Sequence, residues 1–332
     1  MPTNHNIKIE NNDSKIWHRD RVALDLLQLA QNFEAFTISL NGEGPCAQSL
    51  GLYDLLNDVC SRTGFNKQNI TIITANLLET HTEYKIEIKP HTKYLIDLQQ
   101  KLKQAGNNLT KDPYSITNHF GHFIGHSSRF RLAIASWLYR YHRQRTSQTF
   151  HSVPTSELHR EFLSLEDLWF SNYGIDYVDN AVEFLKHVPF SYDSHNSGPI
   201  LGQQLYGVLG AYHNIFIDIP CMTYVSGTTF YVDEKIWRPI MTQTPFIAHG
   251  PANFIKNLRR FGFKTFDQWW DEGYSEDPPD VQTKEIVGII DQIAKWDINR
   301  VRTVYEEMKP VLEHNYKRFT ELKADEFSKI FI

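Results

Sequence analysis

The chain has 332 residues, enough for two domains of ordinary size, and its 41% hydrophobic and 22% charged content is that of a folded protein rather than a disordered one. A net charge of −5 gives no general electrostatic pull toward nucleic acid. No run of about eighteen apolar residues is present to span a membrane. The stretch Met1 to Asp20 is polar and lacks the apolar core of a secretory signal. Cys46, Cys60 and Cys221 are too few and too widely spaced for a disulfide framework or a zinc knuckle, so a reducing, cytoplasmic location is expected.

In chain order, Pro2 to Ser14 is polar and Asn-rich and reads as a frayed start. A helix is expected over Arg21 to Asn32, then a strand, Ala35 to Leu40, running into the turn Asn41-Gly42-Glu43-Gly44-Pro45. Leu52, Leu55, Leu56 and Val59 recur at helical spacing, and Gly64 is placed to end that helix. The β-branched run Ile70 to Thr74 and the alternating Lys85 to Ile88 are strands, and Leu95, Leu98 and Leu102 mark another helix. Breakers from Gly106 to Pro113 are expected to link two halves. A second series follows. His119 to Gly125 is strand-like, and Phe130, Ile134, Trp137, Leu138 and Tyr141 share a helical face.

Residues 154–202 carry little pattern apart from a helix over Ala181 to His187. Ile215 to Ile219 and Pro245 to Ala248 read as buried strands, and Asn253 to Arg260 as a helix ended by Gly262. A long helical region starts near Val281, with Ile286, Ile289, Ile290 and Ile293 on one stripe and Pro310 placed to kink or divide it. Strands alternating with helices predict parallel sheets, whose ligands bind at the strands' carboxyl ends.

The chemistry concentrates in Asp233-Glu234-Lys235, where a helix is expected to begin after Ser226-Gly227-Thr228-Thr229. A helix start offers unpaired N–H groups and a positive field, which suit a diphosphate. Lys235 is suited to phosphate oxygens and Glu234 to ribose or sugar hydroxyls, and Arg238 lies one turn beyond both. By spacing alone the competing description is a capped helix with a solvated Glu/Lys/Arg face.

The longer string Tyr231-Val232-Asp233-Glu234-Lys235-Ile236-Trp237-Arg238, followed by Thr244-Pro245-Phe246-Ile247 and Gly250, resembles the C-terminal signature of α1,3-fucosyltransferases, Tyr-x-Thr-Glu-Lys-x-Trp-Arg. The run through Leu258, Arg259, Gly262-Phe263-Lys264-Thr265-Phe266 and Trp269-Trp270-Asp271-Glu272 also looks like uncharacterised glycosyltransferase-like proteins of bacteria and viruses. The specific similarity covers about Phe230 to Tyr274, with a weaker echo over Phe120 to Leu138.

The resemblance implies an α/β, GT-B-like fold, with two Rossmann-like lobes, a cleft between them and C-terminal helices. The lobes are expected at 1–112 (acceptor side) and 113–280 (sugar nucleotide), with 281–332 as helices packing across both. It further implies that Tyr231 packs near the nucleotide, Glu234 contacts the ribose and Lys235 the diphosphate. Arg131, with Leu138 one helical stretch later, matches the arginine that opens the donor domain's first helix; Arg129 is the fallback. Two departures stand out. Asp233 replaces the motif threonine, and the Asn-Ser pair upstream of the tyrosine is missing, so the donor base and sugar are left open.

A metal-independent transferase that inverts configuration needs a carboxylate to take the acceptor proton. Glu43, in the turn Gly42-Glu43-Gly44, is the candidate, against an ordinary turn or capping role. Of the three histidines His119, His122 and His126, the last two share one strand face and the first takes the other, which is awkward for metal ligation; His126 is instead expected to touch the donor, since it adjoins Ser127. Trp269-Trp270-Asp271-Glu272 reads as a packed corner, and Lys256, Arg259, Arg260 and Lys264 as a solvated face.

The expected activity is transfer of a sugar from a nucleoside-diphosphate donor to a glycan or related hydroxyl acceptor, with no cofactor and no metal. The alternatives are a glycosyltransferase acting on modified DNA bases and an inactive GT-B nucleotide-binding or interaction protein. A dinucleotide oxidoreductase lacks its fingerprint, because no third glycine follows Gly42-Glu43-Gly44 before Gly51.

Overall fold

The computed structural model describes residues 5–9, 19–40, 44–106, 110–125, 127–150, 164–171, 173–188, 205–223 and 225–330. Among them the strands form two separate sheets, and every pairing is parallel. Parallel strands need crossover connections that cover the sheet faces. The protein is therefore of the mixed α/β class. It divides into two compact units, one made of Met1–Thr92, Thr223–Asp233 and Lys323–Ile332, the other of Lys93–Met222 and Glu234–Leu322.

The first unit carries β1 (His5–Ile9), α1 (Arg19–Asn32), β2 (Phe36–Leu40), α2 (Leu52–Thr63), β3 (Ile70–Thr74) and β4 (Lys85–Ile88), with the strands side by side in sequence order. Leu26 of α1 and Leu52, Leu56 and Val59 of α2 pack with Ile38 and Ile72 into its core. Gly64 ends α2 in the left-handed conformation (φ 71°), donating its N–H to the Cys60 carbonyl. The strand β1 lies where a frayed start is expected. Its polar residues conceal a strand whose backbone pairs with β2 from His5↔Phe36 to Ile9↔Leu40.

The second unit begins with α3 (Lys93–Gln104), then β5 (Asn118–Ile124), α4 (Arg129–His142) and β6 (Thr146–Phe150). Helix α5 (residues 164–170) precedes α6 (Ile175–Leu185), α7 (Leu205–His213) and β7 (Ile215–Asp218). Helices α8 (Glu234–Met241), α9 (Phe254–Arg260), α10 (Pro279–Ile293) and α11 (Ile298–Glu321) complete it. The sheet order is β6-β5-β7. The chain leaves β5 toward one side and returns on the other, so the carboxyl ends of β5 and β7 form a topological switch point.

Two expectations need correction here. Pro245 to Ala248 does not form a continuous strand but meets β7 and its extension at two bridges, Asp218↔Phe246 and Cys221↔His249, because Pro220, which lies between them, has no N–H to give the Ile247 carbonyl. Pro310 does not divide the last helix: α11 runs through it, and the break lies at Lys295 to Asp297. There the Asp297 side chain caps α11 by accepting from the Arg300 N–H, at 2.8 Å. No helix among the described residues is long and apolar enough to cross a membrane.

Positive φ separates two glycines of the first unit by their surroundings. A Cβ on Gly64 would meet nothing within 4 Å, whereas one on Gly44 (φ 76°) would lie 2.7 Å from the Asn76 backbone nitrogen. Gly64→Ala should therefore cost only the left-handed conformation, about 1 kcal/mol. Gly44→Ala should cost clearly more, about 3 kcal/mol, since backbone cannot move aside like a side chain. Urea denaturation of both variants checks the order.

Candidate functional site

At the switch point, β5 feeds the start of α4, and β7 feeds the segment Ile219 to Met222. Arg131 lies in the first turn of α4, 5% exposed, and its Nη2 donates to the Cys221 carbonyl at 3.0 Å. Arg129 turns elsewhere, pairing with Asp280 of α10 at 3.2 Å with its guanidinium over the Phe130 ring. The helix α4 has no acidic residue in its first turn, and its N-cap, Ser128, makes no side-chain capping bond. Beside it the buried Ser127 hydroxyl has no hydrogen-bond partner among the described residues.

Helix α8 begins at Glu234, as the sequence implies. Its apolar face holds Ile236 and Trp237, both fully buried, with Trp237 packed on Phe263 and Phe319. The Lys235 ammonium donates to Glu234 Oε1 at 3.0 Å, and the two side chains are only 19% and 16% exposed. That enclosure rules out the solvated Glu/Lys/Arg face. Burial by itself would raise the Glu234 carboxyl, but Lys235 and Arg238 outweigh it and hold it well below the usual carboxylate range, so Glu234 is a half-buried anion.

Cys221 sits within this field. Burial pushes its thiol up to about 12, against the opposing charges of Arg131 and Lys235 and in step with that of Asp218. It is therefore protonated and no nucleophile. Asp218 ends β7, 2% exposed, and accepts from the Tyr212 hydroxyl at 2.7 Å. Burial lifts its carboxyl to about 7, although Tyr212, Arg238 and Lys111 all favour the anion. Arg131, Glu234, Lys235 and Arg238 thus act on one region at the carboxyl end of β7.

Tyr231 belongs to the first unit, 1% exposed, with its hydroxyl accepting from the Thr223 N–H at 3.0 Å. Asp233 is fully buried. Glu43 and His126 lie outside the described residues. His119 and His122 occupy opposite faces of β5, His119 Nε2 bonding the Trp296 carbonyl and His122 Nδ1 that of Ile219. Among the described residues no three His, Cys, Asp or Glu side chains group so as to hold a metal ion. The Trp269 to Glu272 run forms a packed corner, with Trp270 and Glu272 buried and Glu272 bound to Arg259 at 2.6 Å.

Three residues of this region have no place in the sequence reading. Asp218 and His249 each follow an apolar run, Ile215-Phe216-Ile217 and Phe246-Ile247-Ala248, and a polar residue closing such a run was the available signal. Tyr212, buried on α7, gave none. His249 is fully buried, its ring 4.7 Å from that of Phe130 and its Nε2 against the Pro279 carbonyl and the Thr283 hydroxyl. No family model and no curated protein sequence matches the chain.

The two buried histidines give the site a pH signature. Burial depresses His122 and His249 from 6.5 to about 4, against the carbonyls of Ile219 and Pro279 and with added repulsion from Arg131. The unfolded chain then binds more protons between those values. The stability each neutral ring contributes is complete above about pH 6.5 and is lost as pH falls toward 4. Asp218 acts in the opposite sense, its folded value being raised from 3.8 to about 7. A comparison of variants isolates the histidine contribution. Between about pH 7 and about pH 5, wild type should lose on the order of 2 kcal/mol more unfolding free energy than His249→Asn. Urea denaturation at the two pH values measures this, and equal losses would refute the assignment.

Proposed function

We propose that this chain is a GT-B-type glycosyltransferase that moves a sugar from a nucleoside-diphosphate donor to a glycan or related hydroxyl acceptor. The observation that carries the reading is the concentration of charge at the carboxyl end of β7, where open α/β sheets bind ligands: Arg131 and Lys235 act on Cys221, Arg238 acts on Asp218, and Lys235 and Arg238 hold Glu234 as an anion. Glu234, Lys235 and Arg238, part of the string that resembles the α1,3-fucosyltransferase signature, belong to that place.

The charges divide the labour between two helix starts. Helix α8 opens with an ionised glutamate, which repels phosphate and accepts hydrogen bonds from hydroxyls, so Glu234 is assigned to the ribose or sugar. Helix α4 opens with Arg131 and no acid, Arg129 being turned to Asp280, and the Ser127 hydroxyl adjoins it, so its start is assigned to the diphosphate, with Lys235 of α8 as the second cation. Tyr231 is assigned to packing near the nucleotide. Glu43, which follows β2 in sequence, is assigned the base, taking the proton from the acceptor hydroxyl as that oxygen attacks the sugar carbon and the nucleoside diphosphate departs.

Thermal unfolding against UDP-, GDP-, CMP- and dTDP-sugars tests this directly. One nucleotide class should stabilise the protein, by about 2.7 kcal/mol at a hundredfold excess over Kd. Lys235→Ala should remove that stabilisation while the variant still unfolds cooperatively. Glu43→Gln should keep it and lose transfer. No response to any nucleotide would overturn the transferase reading.

A further inference from the structure

At the carboxyl ends of β2 and β3, three loops of the first unit meet around one buried amide. Asn76 is fully buried. Its Nδ2 donates to the Thr228 carbonyl at 2.9 Å and to Glu79 Oε2 at 3.0 Å. Its Oδ1 accepts from the N–H groups of Phe230, at 2.9 Å, and Leu78, at 3.1 Å. Every hydrogen-bonding position of the amide is therefore filled. In a parallel ladder a residue donates to the partner one before its opposite number and accepts from the one after. The Asn76 side chain does this with Thr228 and Phe230, standing in for a strand residue opposite Thr229. The true backbone continues the pairing, the Leu77 N–H donating to the Phe230 carbonyl at 2.8 Å.

Glu79 fixes which way round the amide stands. It is 5% exposed and accepts from Asn76, from the Ala47 N–H at 3.1 Å and from the Tyr53 hydroxyl at 2.6 Å. Burial, with the bond to Glu79, pushes the Tyr53 phenol well above its ordinary range, so it remains a donor. With Glu79 and the Thr228 carbonyl as acceptors and two N–H groups as donors, a reversed amide would face like against like on both sides. The third loop is locked by Gly227 (φ 70°), where a Cβ would fall 1.9 Å from Ser49 Oγ and 2.9 Å from Cys46 Sγ. Phe230, gripped at both its N–H and its carbonyl, is followed at once by Tyr231, and the chain enters α8 three residues after that.

We propose that Asn76, oriented by Glu79, is a positioning residue for the donor segment. It fixes Thr228 to Phe230 and, through the chain that follows, sets Tyr231. This rests on the transferase reading above. The test is donor affinity in the intact protein, measured calorimetrically with UDP, GDP, CDP and dTDP. Asn76→Asp keeps the shape but puts an acceptor against Glu79 and the Thr228 carbonyl; Glu79→Gln keeps volume and removes the orienting charge. Val59→Ala, a core change on α2 away from the node, supplies a matched loss of Tm.

The wild type should bind one of the four nucleotides. Asn76→Asp and Glu79→Gln should each weaken it by about tenfold or more, and Val59→Ala by less than about threefold. If Asn76→Asp does not fold, Glu79→Gln decides. Undiminished affinity in the node variants, or an equal loss in Val59→Ala, overturns the positioning role and leaves the transferase reading intact. A wild type that binds none of the four overturns both.

Discussion

Parallel pairing throughout both sheets settles where polar side chains can work. The strands β2, β3, β5, β6 and β7 carry no Asp, Glu, Lys or Arg before Asp218 at the end of β7, so charged groups gather where the backbone leaves the sheet. The two units meet this demand with different chemistry. In the first, a neutral amide and a carboxylate are held by N–H and O–H donors and the Thr228 carbonyl, with no cation bonded to Asn76 or Glu79 among the described residues. In the second, arginine, lysine and neutral imidazoles surround two carboxylates and a thiol.

Much of the fold was legible in the sequence where side-chain pattern and burial coincide. The runs Ile70 to Thr74 and Lys85 to Ile88 are strands over the same residues, and Gly64 ends α2 because only its φ suits that exit. The failures have physical causes. Three of the five residues of β1 are polar and the strand lies in an Asn-rich stretch, and what makes it a strand is a neighbour that supplies backbone partners, which no local pattern records. Pro310 is placed to divide a helix, but a proline removes one hydrogen bond, and a helix buried through Val304, Tyr305, Met308 and Leu312 outweighs that loss. The break went instead to Asp297, where a capping carboxylate lowers the cost of starting again.

The site was legible in composition and not in depth. Spacing put Glu234, Lys235 and Arg238 on one face, yet spacing cannot say whether that face meets water. The enclosure of Glu234 and Lys235 follows from Ile236 and Trp237 driving the helix inward, a property of the neighbouring apolar residues. Asn76 and Glu79 carried no signal for a related reason. Their partners, Thr228 and Phe230 on one side and Ala47 and Tyr53 on the other, are brought together by folding, and bonds between side chains and distant backbone leave no periodicity behind.

The balance between burial and charge is sharpest in the second unit. Asp218 and Glu234 both lose water, and both feel Arg238. For Asp218 burial wins and the carboxyl rises to about 7, because its closest partner is the neutral Tyr212 hydroxyl. For Glu234 charge wins and the carboxyl falls well below the usual carboxylate range, because the Lys235 ammonium touches it directly. A contact ion pair offsets desolvation where a single hydrogen bond cannot. The same region therefore holds one carboxyl that exchanges a proton near neutral pH and one that stays charged. Environments that push two carboxyls apart in this way are what acid–base and binding roles require.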